Sequence, residues 1–142
     1  MEYTDVKQRF ASCPDLTELD AGPSALLLWR SEEVVFREGE TIYAEGTRLD
    51  NTFCLLLSGE LVVEKGSRLV GQISEGQIFG EMAFFAPQHA RTATVRVSSP
   101  EATVLRIQLS PEELATHRLA ALKKYLGLEA WERFVSDAER EL

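Results

Sequence analysis

Glu81 and Arg91 are the two side chains whose types and spacing could do chemistry together, ten positions apart in a segment that Gly76 and Gly80 open. The stretch reads Gly76-Gln77-Ile78-Phe79-Gly80-Glu81-Met82-Ala83-Phe84-Phe85, a short polar loop, then Arg91-Thr92-Ala93-Thr94-Val95-Arg96-Val97. It has the form of a strand end, a glycine, one turn of helix, a loop, and an arginine opening the next strand. Gly80 lets a backbone approach a ligand closely, and N–H groups at the start of a turn point at whatever lies in front of it. An arginine facing that turn would add a planar fork of donors, which suits a phosphate. Glu81 is an acceptor, out of place beside a phosphate alone but apt for a sugar hydroxyl. Phosphate donors and a sugar-binding carboxylate within one short segment predict a site for a nucleoside monophosphate. The plain alternative is a surface ion pair around an ordinary turn.

The segment resembles the phosphate-binding cassette of the cyclic nucleotide-binding domain family. The match is to Phe-Gly-Glu-x-Ala followed by two hydrophobic residues, a short loop, then Arg-(Ser/Thr/Ala)-Ala-x-Val, here Phe79 to Phe85 and Arg91 to Val95. Phe36-x-x-Gly39-Glu40-x-Ile42 with Gly46, and Leu57-Ser58-Gly59-Glu60-Leu61-Val62-Val63, resemble the family's early barrel strands. The resemblance therefore covers about residues 26–107. It implies that Glu81 accepts the ribose 2′-hydroxyl and that Arg91 pairs with the exocyclic phosphate oxygens. Backbone N–H groups near Gly80, Met82, Ala83 and Ala93 would complete the cradle. Thr92 would donate to the phosphate or to a purine edge, which leaves cAMP and cGMP both open. Leu61, Val63, Val70 and Gly71 align with positions that face ribose and base, although each also suits plain core. Phe84-Phe85 is bulkier than the family's usual aliphatic pair, and His89 in the cassette loop is read as an exposed loop histidine.

The elements that must position these residues are short. From Glu33 to Ile107 the chain is a series of strands broken by glycines, at a spacing that predicts an antiparallel sandwich or barrel. Val34–Phe36, Thr41–Tyr43, Thr52–Leu57, Leu61–Val63, Leu69–Ile73, Thr94–Val97 and Thr103–Ile107 are the expected strands. Before them, residues 1–30 read as loosely jointed helix, with Ser24 capping an apolar segment ending at Trp29 that should lie buried. After them, Ser110-Pro111-Glu112-Glu113 is a strong helix start. Leu114, Leu119, Leu122 and Leu126 would form its apolar side, and Gly127 would stop it. A last helix would carry Trp131, Phe134, Val135, Ala138 and Leu142. The expected fold is α+β: one domain over residues 1–142, with N-terminal helices (1–30), an antiparallel β jelly-roll barrel (33–107, cassette 78–95) and C-terminal helices (110–142). In the family such C-terminal helices form a lid over the nucleotide; a permanently packed helix or a dimer seam needs the same apolar stripe.

Composition narrows the function classes. With 44% hydrophobic and 27% charged residues among 142, the chain is globular and holds a single core. It has no apolar run long enough to cross a membrane and no leader-like N-terminus, so a cytoplasmic protein is expected. A net charge of −8 argues against nucleic-acid binding, which needs a basic footprint. The two cysteines, Cys13 and Cys54, and the two histidines, His89 and His117, lack metal-ligand spacing, and no nucleophile–base pair is visible. The sequence thus predicts no cofactor and no catalysis. The reading that follows is a cytoplasmic cyclic mononucleotide sensor, for cAMP ahead of cGMP, that relays binding to a protein partner or a second copy of itself through its C-terminal helices. The alternative is a nucleotide-independent scaffold or dimerising module on the same fold.

Overall fold

The computed structural model describes residues 26, 27, 29–116, 120, 123, 124, 126, 127, 130, 131 and 133. The expected helix over the first part of residues 1–30, and the positions of Leu119, Leu122, Phe134, Val135, Ala138 and Leu142, lie outside them. Eight strands follow in order: β1 (Ser31–Arg37), β2 (Thr41–Tyr43), β3 (Thr52–Ser58), β4 (Leu61–Lys65), β5 (Arg68–Ile73), β6 (Ile78–Phe79), β7 (Thr94–Val97) and β8 (Glu101–Gln108). A 3-10 turn, Glu81–Phe84, and a second, Pro87–His89, separate β6 from β7.

The strands make two four-stranded antiparallel sheets, ordered β1-β8-β3-β6 and β2-β7-β4-β5. The expected barrel is therefore corrected: among the described residues no strand pairing joins the two sheets, and the architecture is an open sandwich. Burial explains why it needs no closure. In β3, Phe53, Leu55 and Leu57 face one way, into a cluster with Ile78, Phe84, Leu105, Ile107, Leu114 and Leu126. Cys54 and Leu56 face the other way, into a cluster with Tyr43, Leu61, Ile73, Phe79, Val95, Val97 and Val104. The second cluster draws on both sheets and is the filling of the sandwich; the first lies under the flanking helical residues. A strand buried on both faces reads as the unbroken apolar run Phe53–Leu57 rather than as an alternation. Gly59, at φ +100°, makes the turn from β3 to β4, and a Cβ there would stand 2.6 Å from the Glu101 carbonyl oxygen. Only glycine fits that approach.

Among the described residues, few helical ones flank the sandwich. Leu26, Leu27 and Trp29 are helical, but only Leu27 is buried and Trp29 is 85% exposed, contrary to the expected burial. After β8 the short helix α1 (Pro111–Leu114) starts with a capping box: the Ser110 hydroxyl accepts from the Glu113 N–H at 3.1 Å, and the Glu113 carboxylate accepts from the Ser110 N–H at 3.2 Å. It ends at Ala115 instead of running on toward Leu126. Gly127 is itself helical, as are Leu126, Ala130, Trp131 and Arg133. A Cβ on Gly127 would lie 3.6 Å from the Phe85 ring, an ordinary contact distance, so the segment rests on the cassette there without requiring a glycine. Among the described residues no helix is long and apolar enough to cross a membrane.

Candidate functional site

The site is assembled where β6 leaves one sheet and β7 enters the other. Gly80 adopts φ +86° at the head of the Glu81–Phe84 turn. A Cβ on Gly80 would lie 2.6 Å from Cε2 of Tyr43 and 3.1 Å from Nη1 of Arg91, so the turn can form only against that pair if residue 80 is glycine. The turn is tied to the loop that follows by the His89 ring, whose Nδ1 lies 3.1 Å from the Ala83 carbonyl oxygen; His89 is otherwise exposed, as expected.

Arg91 is clamped by its backbone and by its side chain. Its N–H donates to the Thr47 carbonyl at 2.8 Å and its carbonyl accepts from the Gly46 N–H at 2.9 Å, which fastens the arginine to the β2–β3 loop. The Arg91 side chain is 3% exposed. Nη1 donates to the Gly80 carbonyl at 2.8 Å, while Nη2 donates to Asp50 Oδ1 at 2.6 Å and to the Thr52 carbonyl at 2.9 Å. Its plane lies over the Tyr43 ring, with Cζ 3.6 Å from the ring centroid. The Tyr43 hydroxyl is 2.8 Å from Thr52 Oγ1 and 3.2 Å from Cys54 Sγ. Burial raises the pKa of Tyr43, and burial pushes the Cys54 thiol up to about 12, so both stay neutral beneath the charge pair. Burial also tends to raise Asp50, but the Thr52 hydroxyl and the Arg91 charge outweigh it and hold the carboxyl below its usual range.

Glu81 is wholly covered, at 0% exposure, and its Oε1 lies 2.6 Å from Nη1 of Arg133. Nη2 of the same arginine donates to the Ile78 carbonyl at 2.8 Å. A residue of the C-terminal helical segment thus holds the start of β6 and the first residue of the turn that follows it.

In front of this cluster opens a cavity of about 500 Å³, within the range of small-molecule sites, roughly 300–1,000 Å³. Gly80, Met82, Ala83, Arg91, Thr92, Ala93, Val63, Val70 and Gly71 all line it, nine of the expected site residues brought together. Leu61 and Glu81 do not: Leu61 is in the sandwich filling, and Glu81 lies beneath Arg133. Tyr43, Lys65, Gln72 and Arg133 also line the cavity and were not expected from the sequence. The charged residues of the wall, Lys65, Arg91 and Arg133, are all cationic in a chain of net charge −8. The arrangement can hold an anion against Arg91 with an apolar body resting on Val63, Val70 and Ala83.

The family model for the cyclic nucleotide-binding domain matches residues 33–111, more than half of the chain. The chain belongs to the cyclic nucleotide-binding domain family. No curated protein sequence matches it. Among solved structures, PKAR CBD2 with bound Sp-2Cl-cAMPS superposes at a TM-score of 0.81 and 19% identity, over 98% of this chain and 91% of that one. The sensor domain of the transcriptional regulator DNR from Pseudomonas aeruginosa gives 0.70 and 19%, over 92% and 91% of the two chains. The regulatory subunit of a cAMP-independent protein kinase A from Trypanosoma cruzi, bound to guanosine, gives 0.65 and 18%, over 80% of this chain and 41% of that one. These likenesses carry the cyclic nucleotide-binding domain fold. Glu81, Arg91 and Thr92 lie within the residues that the family model matches, and Arg133 lies outside them.

Proposed function

We propose that the cavity binds a cyclic purine mononucleotide, cAMP or cGMP, and that binding is relayed to a protein partner or a second copy of the chain through the C-terminal helical segment. The observation that carries this reading is the buried Arg91 held at the cavity wall by Gly80, Asp50 and Thr52. A guanidinium has five N–H donors, so those bonds leave donors for a ligand phosphate. Because the guanidinium is already desolvated and fixed in orientation, little ordering cost falls on the binding step. Thr92, on the same wall, offers a hydroxyl to the phosphate or to the guanine edge.

Glu81 supplies the relay. A ribose hydroxyl that reaches this covered carboxylate displaces or shares its contact with Arg133. Ligand and C-terminal segment then act on one acceptor, and by linkage each changes the other's stability at that place. An output face on the moved segment would alter its affinity for another protein.

One observation favours a second reading, a scaffold that binds no nucleotide: Arg91 and Glu81 are each paired inside the chain, with Asp50 and Arg133. Equilibrium dialysis of the full chain with radiolabelled cAMP and cGMP decides between them. Saturable uptake competed by the unlabelled nucleotide and lost in Glu81→Gln supports the sensor. No uptake of either nucleotide at millimolar protein supports the scaffold.

A further inference from the structure

The residue that does most to shape the arginine is one the cassette pattern does not contain. Tyr43, on β2, is held at its hydroxyl and along its ring. Its hydroxyl is held by Thr52 Oγ1 and Cys54 Sγ at 2.8 and 3.2 Å. One edge meets Phe79 at a centroid distance of 5.9 Å and an interplanar angle of 67°. Another edge is so close to Gly80 that a Cβ there would stand 2.6 Å from it. The Arg91 guanidinium rests over the ring at 3.6 Å. The hydrogen bonds to Gly80, Asp50 and Thr52 fix where the two Nη atoms lie within the guanidinium plane. They do little to stop that plane from tilting, because carbonyl acceptors tolerate a broad range of approach. A rigid aromatic face beneath it does, and the attraction between cation and ring strengthens when both are out of water.

We propose that Tyr43 is the positioning residue for anion recognition, a platform that sets the tilt of the Arg91 guanidinium so that its remaining donors face the cavity. This rests on the reading of the cavity as a phosphate-bearing ligand's site, but its geometric half does not depend on any ligand. A tyrosine acting only as core filling would be replaceable by an aliphatic side chain of similar bulk. A platform is replaceable only by another ring.

Two readouts on the full chain test it. The first is an arginine side-chain 1H–15N correlation spectrum without ligand, with the Arg91 signals assigned by their loss in Arg91→Lys. Ring-current displacement of those signals should persist in Tyr43→Phe and vanish in Tyr43→Met, which keeps bulk without a ring; Tyr43→Leu takes its place if the methionine variant does not fold. The second is calorimetric titration with cAMP and cGMP. Tyr43→Phe should stay within about twofold of wild type and Tyr43→Met should weaken binding about tenfold. In an Arg91→Lys background, the same methionine change should cost markedly less. Unshifted arginine signals in the wild type, or displaced ones surviving in Tyr43→Met, would overturn the platform. Equal binding by Tyr43→Met and Tyr43→Phe would overturn its role in recognition. A wild type that shows the ring-current signature and binds neither nucleotide supports the platform while removing the proposed function.

Discussion

At the residue scale the site is a charge pair set on a neutral floor. Arg91 and Asp50 carry the charge, and Tyr43, Thr52 and Cys54 beneath them carry none. Removing the guanidinium in Arg91→Ala should cost on the order of 3 kcal/mol of nucleotide binding, since a buried charge-assisted contact is lost. The same change strips donors from Gly80, Thr52 and Asp50, so its melting temperature should fall as well; calorimetry and thermal unfolding read the two effects apart. The acid side is also testable. Asp50 is held below its ordinary pKa of 3.8 in the folded chain. The stability it contributes is therefore present above the unfolded-state value and is lost as pH falls through the folded one. Urea midpoints of wild type and Asp50→Asn should differ at about pH 6 and converge as the pH falls through the folded-state value. A constant difference across that range would remove Asp50 from the network's pH response. Cys54 and Tyr43, both raised by burial, contribute no titration in this window.

At the scale of elements, the β6 turn is built by what glycine omits. Gly80→Ala must abandon φ +86° or displace the Tyr43 ring and Arg91. It should destabilise the fold by about 1–3 kcal/mol and weaken nucleotide binding in the same variant, read by chemical denaturation and titration. Helix α1 offers a contrast, a purely structural element. Ser110→Ala opens its capping box and should cost about 1 kcal/mol of stability, with nucleotide affinity unchanged. The strands, the turns between them and the α1 start were legible because glycine, proline and capping residues act locally. Other features were not. Whether the sheets close into a barrel depends on pairings between β2, β5, β1 and β6, and no local pattern encodes an absent edge contact. Gly127 carries the signature of a residue just past a helix end, yet it is itself helical and lies against the Phe85 ring. Trp29 belongs to an apolar run whose neighbour Leu27 takes the buried place.

At the scale of the molecule, the C-terminal segment meets the rest of the fold through Leu126 in the core and through Arg133, which binds the Glu81 carboxylate and the Ile78 carbonyl. Arg133 was invisible as a functional residue because its partner Glu81 is 52 positions away, a separation that only the fold closes. Tyr43 and Asp50 were missed for the same reason; each reads alone as a strand aromatic or a loop acid. The cassette residues were found because their chemistry lies within one segment. If Arg133 links the cavity to the C-terminal segment, Arg133→Ala should raise amide exchange around residues 126–133 and erase any protection there on adding nucleotide. Wild-type protein should gain or lose protection at those amides when ligand binds. The central claim, however, is that this cavity recognises a cyclic phosphate through Arg91. Its most direct test is calorimetric titration of the full chain with cAMP and cGMP beside the phosphate-free nucleosides adenosine and guanosine, in wild type and Arg91→Lys. The account predicts micromolar or tighter binding of at least one cyclic nucleotide, much weaker binding of its nucleoside, and loss of that difference in the folded variant. Equal affinity for nucleoside and cyclic nucleotide, or an advantage that Arg91→Lys leaves intact, would contradict it.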